Sequence, residues 1–399
     1  MKIRRVHHMA LISGLFLFLI LISINKLTTN ETSRLIAVSI SLTAIIGVVF
    51  SLLILFALHK IKKKQLLAIS FYIGLVLYGA IMSILNGAFD LGQQNLLINI
   101  LVTLSGLTLM SMSVDRPLLD LFTKSIFLYV ILGLFVTIVI GGLDLNFPPH
   151  FILDYNPDSE TGKPLDYSQG ISQFFGLGSI SAAYLISKTK QKFYVLTLLF
   201  VVFSFLGLSL LGGSRGDSIA AIIIALGFLA FKFRFKFFVF LILIVVFIVF
   251  SIEDWESLLD SFLIFQRLAT LGGGDFGQRD FLLNQVMNLL SQEPRCLTVG
   301  CGFGYFQSYY GYEFGMYPHN FIAESLITFG LPISVGLGLL VAGGIKTYYK
   351  NNNNTIDFFI LLFLYSALLA IKSDYLFGGW FFTASSMYFA SLYIFKLTK

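Results

Sequence analysis

Three segments of this sequence set chemically useful side chains at the start of a helix. In GGSRGDS (Gly212–Ser218), Arg215 lies where one apolar run ends and the next begins. A helix starting there has free N–H groups and a positive dipole end beside the guanidinium, which suits an anion and phosphate in particular. The plainer alternative is an arginine that snorkels to the membrane surface and pairs with Asp217. Arg279 repeats the pattern, because Gly272-Gly273-Gly274-Asp275-Phe276-Gly277 leads into a helix predicted to begin near Gln278. A solvated surface arginine is the alternative there. In YPHNFIAESLITFG, Pro318 closes a loop and His319-Asn320 open an apolar run. Histidine is the side chain best suited to take a proton near neutral pH. Asn320 and Glu324, one turn apart, can orient or polarise it, although a lone histidine at a helix start is often only a cap. Tyr305, Phe306, Tyr309, Tyr310, Tyr312, Phe314 and Tyr317 lead into this segment, either to stack on sugar rings or as an interfacial aromatic belt. Two phosphate-binding helix starts and one base suit transfer from a lipid diphosphate donor. The diphosphate is already a good leaving group, arginines stabilise its developing charge, and the histidine deprotonates an attacking hydroxyl.

The elements that position these residues belong in a bilayer. Hydrophobic residues make up 57% of 399 positions and charged residues 12%, against about 45–50% and about 25% in a soluble domain. That leaves too little polar surface for a water-facing globule. Long Phe/Leu/Ile/Val runs with only 8 prolines predict helices, which satisfy their own backbone in lipid; a β-barrel would show short alternating segments. The sequence therefore predicts an all-α polytopic membrane protein, one membrane domain over 1–399. Its twelve expected spans are 9–27, 35–58, 66–89, 96–114, 119–141, 170–187, 193–212, 217–231, 237–252, 320–345, 356–372 and 379–395. Lys2, Arg4 and Arg5 before the first run resemble a signal peptide. The run ends in Ile24-Asn25-Lys26 without a small-x-small cleavage site, so a retained signal anchor is expected.

Lys/Arg placement sets the expected orientation. The basic clusters Lys60–Lys64, Lys188–Lys192, Lys232–Lys236 and Lys346–Lys350 fall on alternate connections. With both termini and the Asp115–Lys124 turn, that face holds 19 of the 27 Lys/Arg and 3 of the 21 acids, so it is expected to be cytoplasmic. The net charge of +6 then reflects topology, and no nucleic-acid partner is expected. Two long connections, 142–169 and 253–319, fall outside. Within the second, Trp255–Leu268 and Gln278–Gln292 read as amphipathic helices lying on the membrane. Cys296 and Cys301, spaced C-x4-C, either pair in an oxidising compartment or remain free thiols. A structural zinc site takes about four ligands, and the outer face adds only His150 and His319 to that pair, so no metal and no cofactor are expected. The acids Asp154, Asp158, Glu160 and Asp166 read as a solvated loop, with cation binding the alternative. A twelve-helix transporter or flippase of lipid-linked sugar is the main non-enzyme alternative; transporters place polar residues at the midplane, whereas these cluster at the outer interface.

From about 200 to 345 the sequence resembles the O-antigen polymerase (Wzy-type) and O-antigen ligase superfamily of bacterial membrane glycosyltransferases. The matching pieces are G-S-R-G (Gly213–Gly216), an arginine entering the large outer loop (Arg279), G-x-G-x-G-x-F (Gly300–Phe306) and H-N-x9-G (His319, Asn320, Gly330). The even number of spans puts both termini on the cytoplasmic face, and the resemblance implies a GT-C-type fold in the bacterial inner membrane with the site facing the periplasm. It implies metal-independent, inverting transfer of saccharide from undecaprenyl diphosphate, within a pathway that also holds a flippase and a chain-length regulator. It assigns diphosphate binding to Arg215 and Arg279, the base to His319, and a supporting role to Asp374 as an acid in the last outer loop. The ligase form of the histidine motif continues G-x-x-[GTY], whereas this chain has Ile333. Polymerisation of lipid-linked repeats is therefore the expected reaction, and transfer to a lipid A core the alternative.

Overall fold

The computed structural model describes residues 63–88, 103–104, 107, 116–139, 143–144, 149–151, 168–234, 278–312, 316–373, 376 and 379–397. The protein is predominantly helical. The helices in chain order are α1 (Lys63–Leu85), α2 (Arg116–Val139), α3 (Gln169–Ile186), α4 (Lys192–Leu211), α5 (Arg215–Phe233), α6 (Gln278–Gln292), α7 (Pro294–Thr298), α8 (Tyr305–Tyr310), α9 (Phe321–Asn351), α10 (Phe358–Lys372) and α11 (Trp380–Leu397). Eight of the twelve expected spans coincide with α1 to α5 and α9 to α11, with ends displaced by a few residues. The spans 9–27, 35–58 and 237–252, most of 96–114, and the amphipathic segment Trp255–Leu268 lie outside the described residues. Among the described residues, four helices are long and apolar enough to cross a membrane: Leu66–Leu85, Lys192–Leu211, Arg215–Phe233 and Phe321–Asn351. Their outer faces carry large exposed apolar side chains, such as Phe200 at 73% and Leu339 at 68%. A face of that kind needs lipid rather than water around it, so the protein is membrane-embedded.

The chain forms two compact units. The first holds α2 to α5. Its centre is α3, which is buried on nearly every side and packs against α4 and α5. That position explains its composition, since Gly, Ser and Ala let neighbouring backbones approach. Gly178 lies under Phe205 and Val130, and a Cβ there would come within 2.5 Å of Val130. The buried hydroxyls of Ser179 and Ser181 donate to carbonyls of their own helix, at 2.7 and 2.8 Å. Ser168 caps α3 by accepting from the Ile171 N–H. A two-residue antiparallel pair, Leu143–Asp144 with His150–Phe151, departs from the helical pattern inside the connection 142–169.

The second unit holds α1 and α6 to α11. α9 and α10 are joined by a tight turn around Asp357, which caps α10 through the Ile360 N–H at 3.2 Å. Its other oxygen accepts from Tyr348 at 2.6 Å and Asn352 at 2.8 Å. α11 packs on α9 at Gly344, where a Cβ would meet the Phe389 carbonyl at 1.9 Å. The reversal at Asp357 returns the end of α10 to the start of α9. There the Asn320 side chain donates to the Ile371 carbonyl at 3.0 Å.

α9 is broken in its first third. Gly330 has φ 77° and ψ 165°, and Pro332 follows two residues later. The helical donor for the Thr328 carbonyl would be the N–H that Pro332 lacks. Instead, the loop between α7 and α8 supplies donors: Cys301 N–H to Ile327 O at 2.7 Å, and Gly302 N–H to Thr328 O at 3.1 Å. An unsatisfied carbonyl in an apolar setting costs several kcal/mol, so the loop stabilises the break it fills. The same loop is tied to the end of α1. Tyr78 donates to the Val299 carbonyl, Ser83 to Phe303 O at 3.0 Å and Asn86 to Cys301 O at 3.1 Å. A disulfide joins Cys296 and Cys301 at the root of this loop. The glycines of G-x-G-x-G-x-F are therefore needed for close backbone approach, Gly300 to α9 and Gly302 to α1.

Candidate functional site

The described site lies in the second unit, at the start of α9. Asn320 is the N-cap, accepting from Ile322 N–H at 2.9 Å and Ala323 N–H at 3.1 Å. His319 precedes it with φ 51°, the left-handed region, which costs a non-glycine residue about 1–2 kcal/mol. Such strain is found where a side chain must be held in one place. Here the imidazole is half-buried. It sits on the Tyr317 ring with centroids 3.9 Å apart, near the backbone carbonyl of Ser373. Tyr317 donates its hydroxyl to the same carbonyl at 3.0 Å. Burial holds the His319 pKa below the ordinary histidine value; the Ser373 carbonyl pulls it the other way, and the charges of Arg279 and Lys372 add to the lowering. The result is an imidazole held on the Tyr317 ring with its pKa lowered.

Arg279 reaches this neighbourhood through α6. The helix spans Gln278–Gln292, the bounds read from the sequence, and Arg279 lies half-buried in its first turn. Leu282, Val286 and Leu289 form its buried face, packed with the Cys296–Cys301 disulfide and with Ala323 and Ile327 of α9. One apolar cluster thus fixes α6 against the half-helix that follows His319. Five of the seven aromatics, Tyr305, Phe306, Tyr309, Tyr310 and Tyr312, belong to or pack on that cluster. Three of their hydroxyls are tied to α6: Tyr310 donates to Gln285 O at 2.8 Å, Tyr309 donates to Gln292 Oε1 at 2.5 Å, and Tyr312 accepts from Gln285 Nε2 at 2.6 Å. Their place in the fold is the scaffold under α6, while Tyr317 serves His319 and Phe314 lies outside the described residues.

Asn320 and Glu324 act one step further from the imidazole than the sequence suggests. Asn320 caps α9 and holds Ile371. Glu324 accepts from the Leu376 N–H at 2.5 Å. Together they clamp the segment after α10, and that segment carries the Ser373 carbonyl near His319. Asp374 falls in the same segment but outside the described residues. Sequence reasoning misses Lys372 and the Ser373 carbonyl. A signal existed for the first, since Lys372 is the single charge of α10 and stands at its C-terminal end. A backbone acceptor leaves no signal.

The other unit holds Arg215, half-buried at the first position of α5. The turn before it is locked to the start of α3. Ser214 N–H donates to the Ser172 hydroxyl at 3.2 Å, and Ser168 N–H to Gly212 O at 2.8 Å. A Cβ on Gly212 would meet the Ser172 hydroxyl at 2.4 Å. Asp217 is fully buried; it accepts from the Ser214 hydroxyl and from Gln173 at 3.3 Å. It therefore holds the turn that presents Arg215 and is withdrawn from solvent itself. Among the described residues no group of three or more His, Cys, Asp or Glu is placed to hold a metal ion. Compared with the models of known protein families and with curated proteins, the chain matches none of them.

Proposed function

We propose that the protein is a GT-C-type membrane glycosyltransferase of about twelve spans that polymerises undecaprenyl diphosphate-linked saccharide repeats, with His319 as its base. The observation that carries this reading is the His319 imidazole, stacked on Tyr317 at the start of an apolar helix, its pKa lowered by burial and by the charges of Arg279 and Lys372. A base next to cations, at a lipid surface, suits a reaction whose donor is an anionic lipid. The acceptor hydroxyl loses its proton to a ring nitrogen of His319 while its oxygen attacks the anomeric carbon. The new C–O bond forms as the bond to the diphosphate oxygen breaks. The leaving diphosphate keeps the electron pair, and arginines stabilise the charge that develops on it. Arg279 does so beside His319, and Arg215 offers an anion a second helix start. The disulfide favours an oxidising, outer location for the loop, as does the charge asymmetry, and both support a site on the periplasmic side of a bacterial inner membrane. A flippase and a chain-length regulator would be its pathway partners.

The experiment is reconstitution. Purified protein given only lipid-linked repeat units should yield a ladder of longer lipid-linked chains. If no ladder forms and glycan moves only once a lipid A core is supplied, the polymerase reading fails and transfer to the core replaces it. In the same assay Arg279→Ala and Arg215→Ala should each lower turnover by about a hundredfold. Arg215→Lys should also be impaired, because an ammonium cannot offer the planar fork. Wild-type turnover in both alanine variants would remove the anion-binding assignment.

A further inference from the structure

We propose that one end of the α2–α5 unit binds an anionic phospholipid, its headgroup on Lys190, Lys192, Lys232 and Arg234 and its acyl chain along α4. The inference stands apart from the function proposed above. α4 and α5 form a hairpin through the turn at Gly212–Ser214, and at 20 and 19 residues each is about 30 Å long. The start of α4 and the end of α5 therefore stand level. α3 ends at the same place, because Tyr184 in its last turn meets Phe228 of α5 with ring centroids 6.2 Å apart.

That end is cationic. Lys188 takes the acid found there, Asp120 of α2, at 3.9 Å, and lies over the Tyr184 ring at 5.0 Å. The other described acids of this unit, Asp144 and Asp217, follow α2 and open α5, at the opposite ends of those helices. Lys190, Lys192, Lys232 and Arg234 are exposed, and among the described residues no carboxylate is left at this end to pair with them. Lys190 and Lys192 do not answer the dipole of α4 either, since they stand at its positive end. Below these cations, Phe193, Leu196 and Phe200 recur on one face of α4 at three- and four-residue spacing and are 77, 64 and 73% exposed. Such a face on a helix long and apolar enough to cross a membrane meets acyl chains. Tyr194, also exposed, is of the residue type that sits at headgroup level. A free phosphate would use the cations alone, whereas a phospholipid uses both the cations and the apolar stripe that leads away from them.

The test uses the full-length protein in neutral detergent micelles, titrated with phosphatidylglycerol or with phosphatidylcholine of the same chains and followed by native mass spectrometry. Wild type should bind the anionic lipid more tightly by about tenfold or more, since each cation near an anionic lipid contributes about fivefold. Salt should shrink the preference. Lys190→Gln/Lys192→Gln should weaken phosphatidylglycerol by about tenfold or more and leave phosphatidylcholine unchanged, the second result showing that the variant is folded. Lys190→Arg/Lys192→Arg should stay within about twofold of wild type, because both cations remain. Leu196→Ser/Phe200→Ser should weaken both lipids. Equal affinity of wild type for the two lipids would overturn the proposal, and so would full phosphatidylglycerol affinity in the glutamine variant. Displacement of the lipid by millimolar inorganic phosphate would assign the cations to a free anion and remove the lipid.

Discussion

Replacing His319 with alanine should lower the rate of glycan transfer by about 10²–10⁴-fold, the span covered by a single general base, while membrane protein levels stay normal. The imidazole is the proton acceptor proposed for the attacking hydroxyl, whereas Asn320 and Tyr317 only position it. Alanine at this position inherits the left-handed φ of 51°, so a companion His319→Gly variant separates strain from chemistry. Glycine tolerates that conformation and should be as inactive as alanine but more stable. Substantial activity in the glycine variant would end the assignment of His319 as base. The pH profile offers a second reading of the same residue. Its pKa is lowered chiefly by burial, so the neutral, active form persists below the ordinary histidine value of about 6.5, and the acid limb of kcat/KM in wild type should lie beneath that point. Removing a cation relieves part of the lowering, so the limb should move to higher pH in Arg279→Ala. The sign for stability follows the same way. A histidine held neutral in the fold contributes stability that is full above the unfolded value of about 6.5 and declines as pH falls below it.

Gly300→Ala should cost about 2–4 kcal/mol of stability, more than a surface change and comparable to a serious core defect. Gly300 has φ 85°, and a Cβ there would lie 2.4 Å from the Thr328 carbonyl oxygen, with Gly330 N at 2.8 Å. Backbone cannot move aside as a flexible side chain can. The clash would push the loop off the break in α9 and leave the Ile327 and Thr328 carbonyls without the donors they now have. Gly330→Ala should behave alike, because its Cβ would meet Gly300 N and Thr298 O at 2.8 Å from the opposite side, with φ 77°. Gly336 and Gly338 lie in the same helix, and a methyl added to either would meet nothing within 4 Å, so Gly336→Ala is the control. It should be neutral or stabilising by about 0.5–1 kcal/mol. Folded yield after solubilisation and resistance to thermal unfolding in detergent measure the difference. Equal behaviour of Gly300→Ala and Gly336→Ala would mean that the loop does not hold the broken helix.

The sequence determined a good deal by itself, and the physical reason is that each such feature is local. Apolar runs long enough to span a bilayer are legible because lipid tolerates little else, and α1, α4, α5 and α9 lie where those runs are. The bounds of α6 were readable because Leu282, Val286 and Leu289 recur at helical spacing after a glycine-rich stretch. Arg215, Arg279 and His319 were visible as polar residues opening helices, and all three stand at or beside a helix start. What stayed hidden depends on segments distant in the chain. Spacing along the outer loop carried no hint that Cys301 and Gly302 satisfy carbonyls at the break beside Pro332, since that pairing joins separate segments through backbone atoms. Whether Cys296 and Cys301 pair was open from spacing alone, and the fold closed it by placing their Cα atoms 4.8 Å apart. The aromatics before His319 had two readings, and packing against α6 supplied a third. Lys372 comes beside His319 only because the turn at Asp357 folds α10 back along α9, and a one-dimensional pattern of hydropathy and charge carries no record of which helix ends share a neighbourhood.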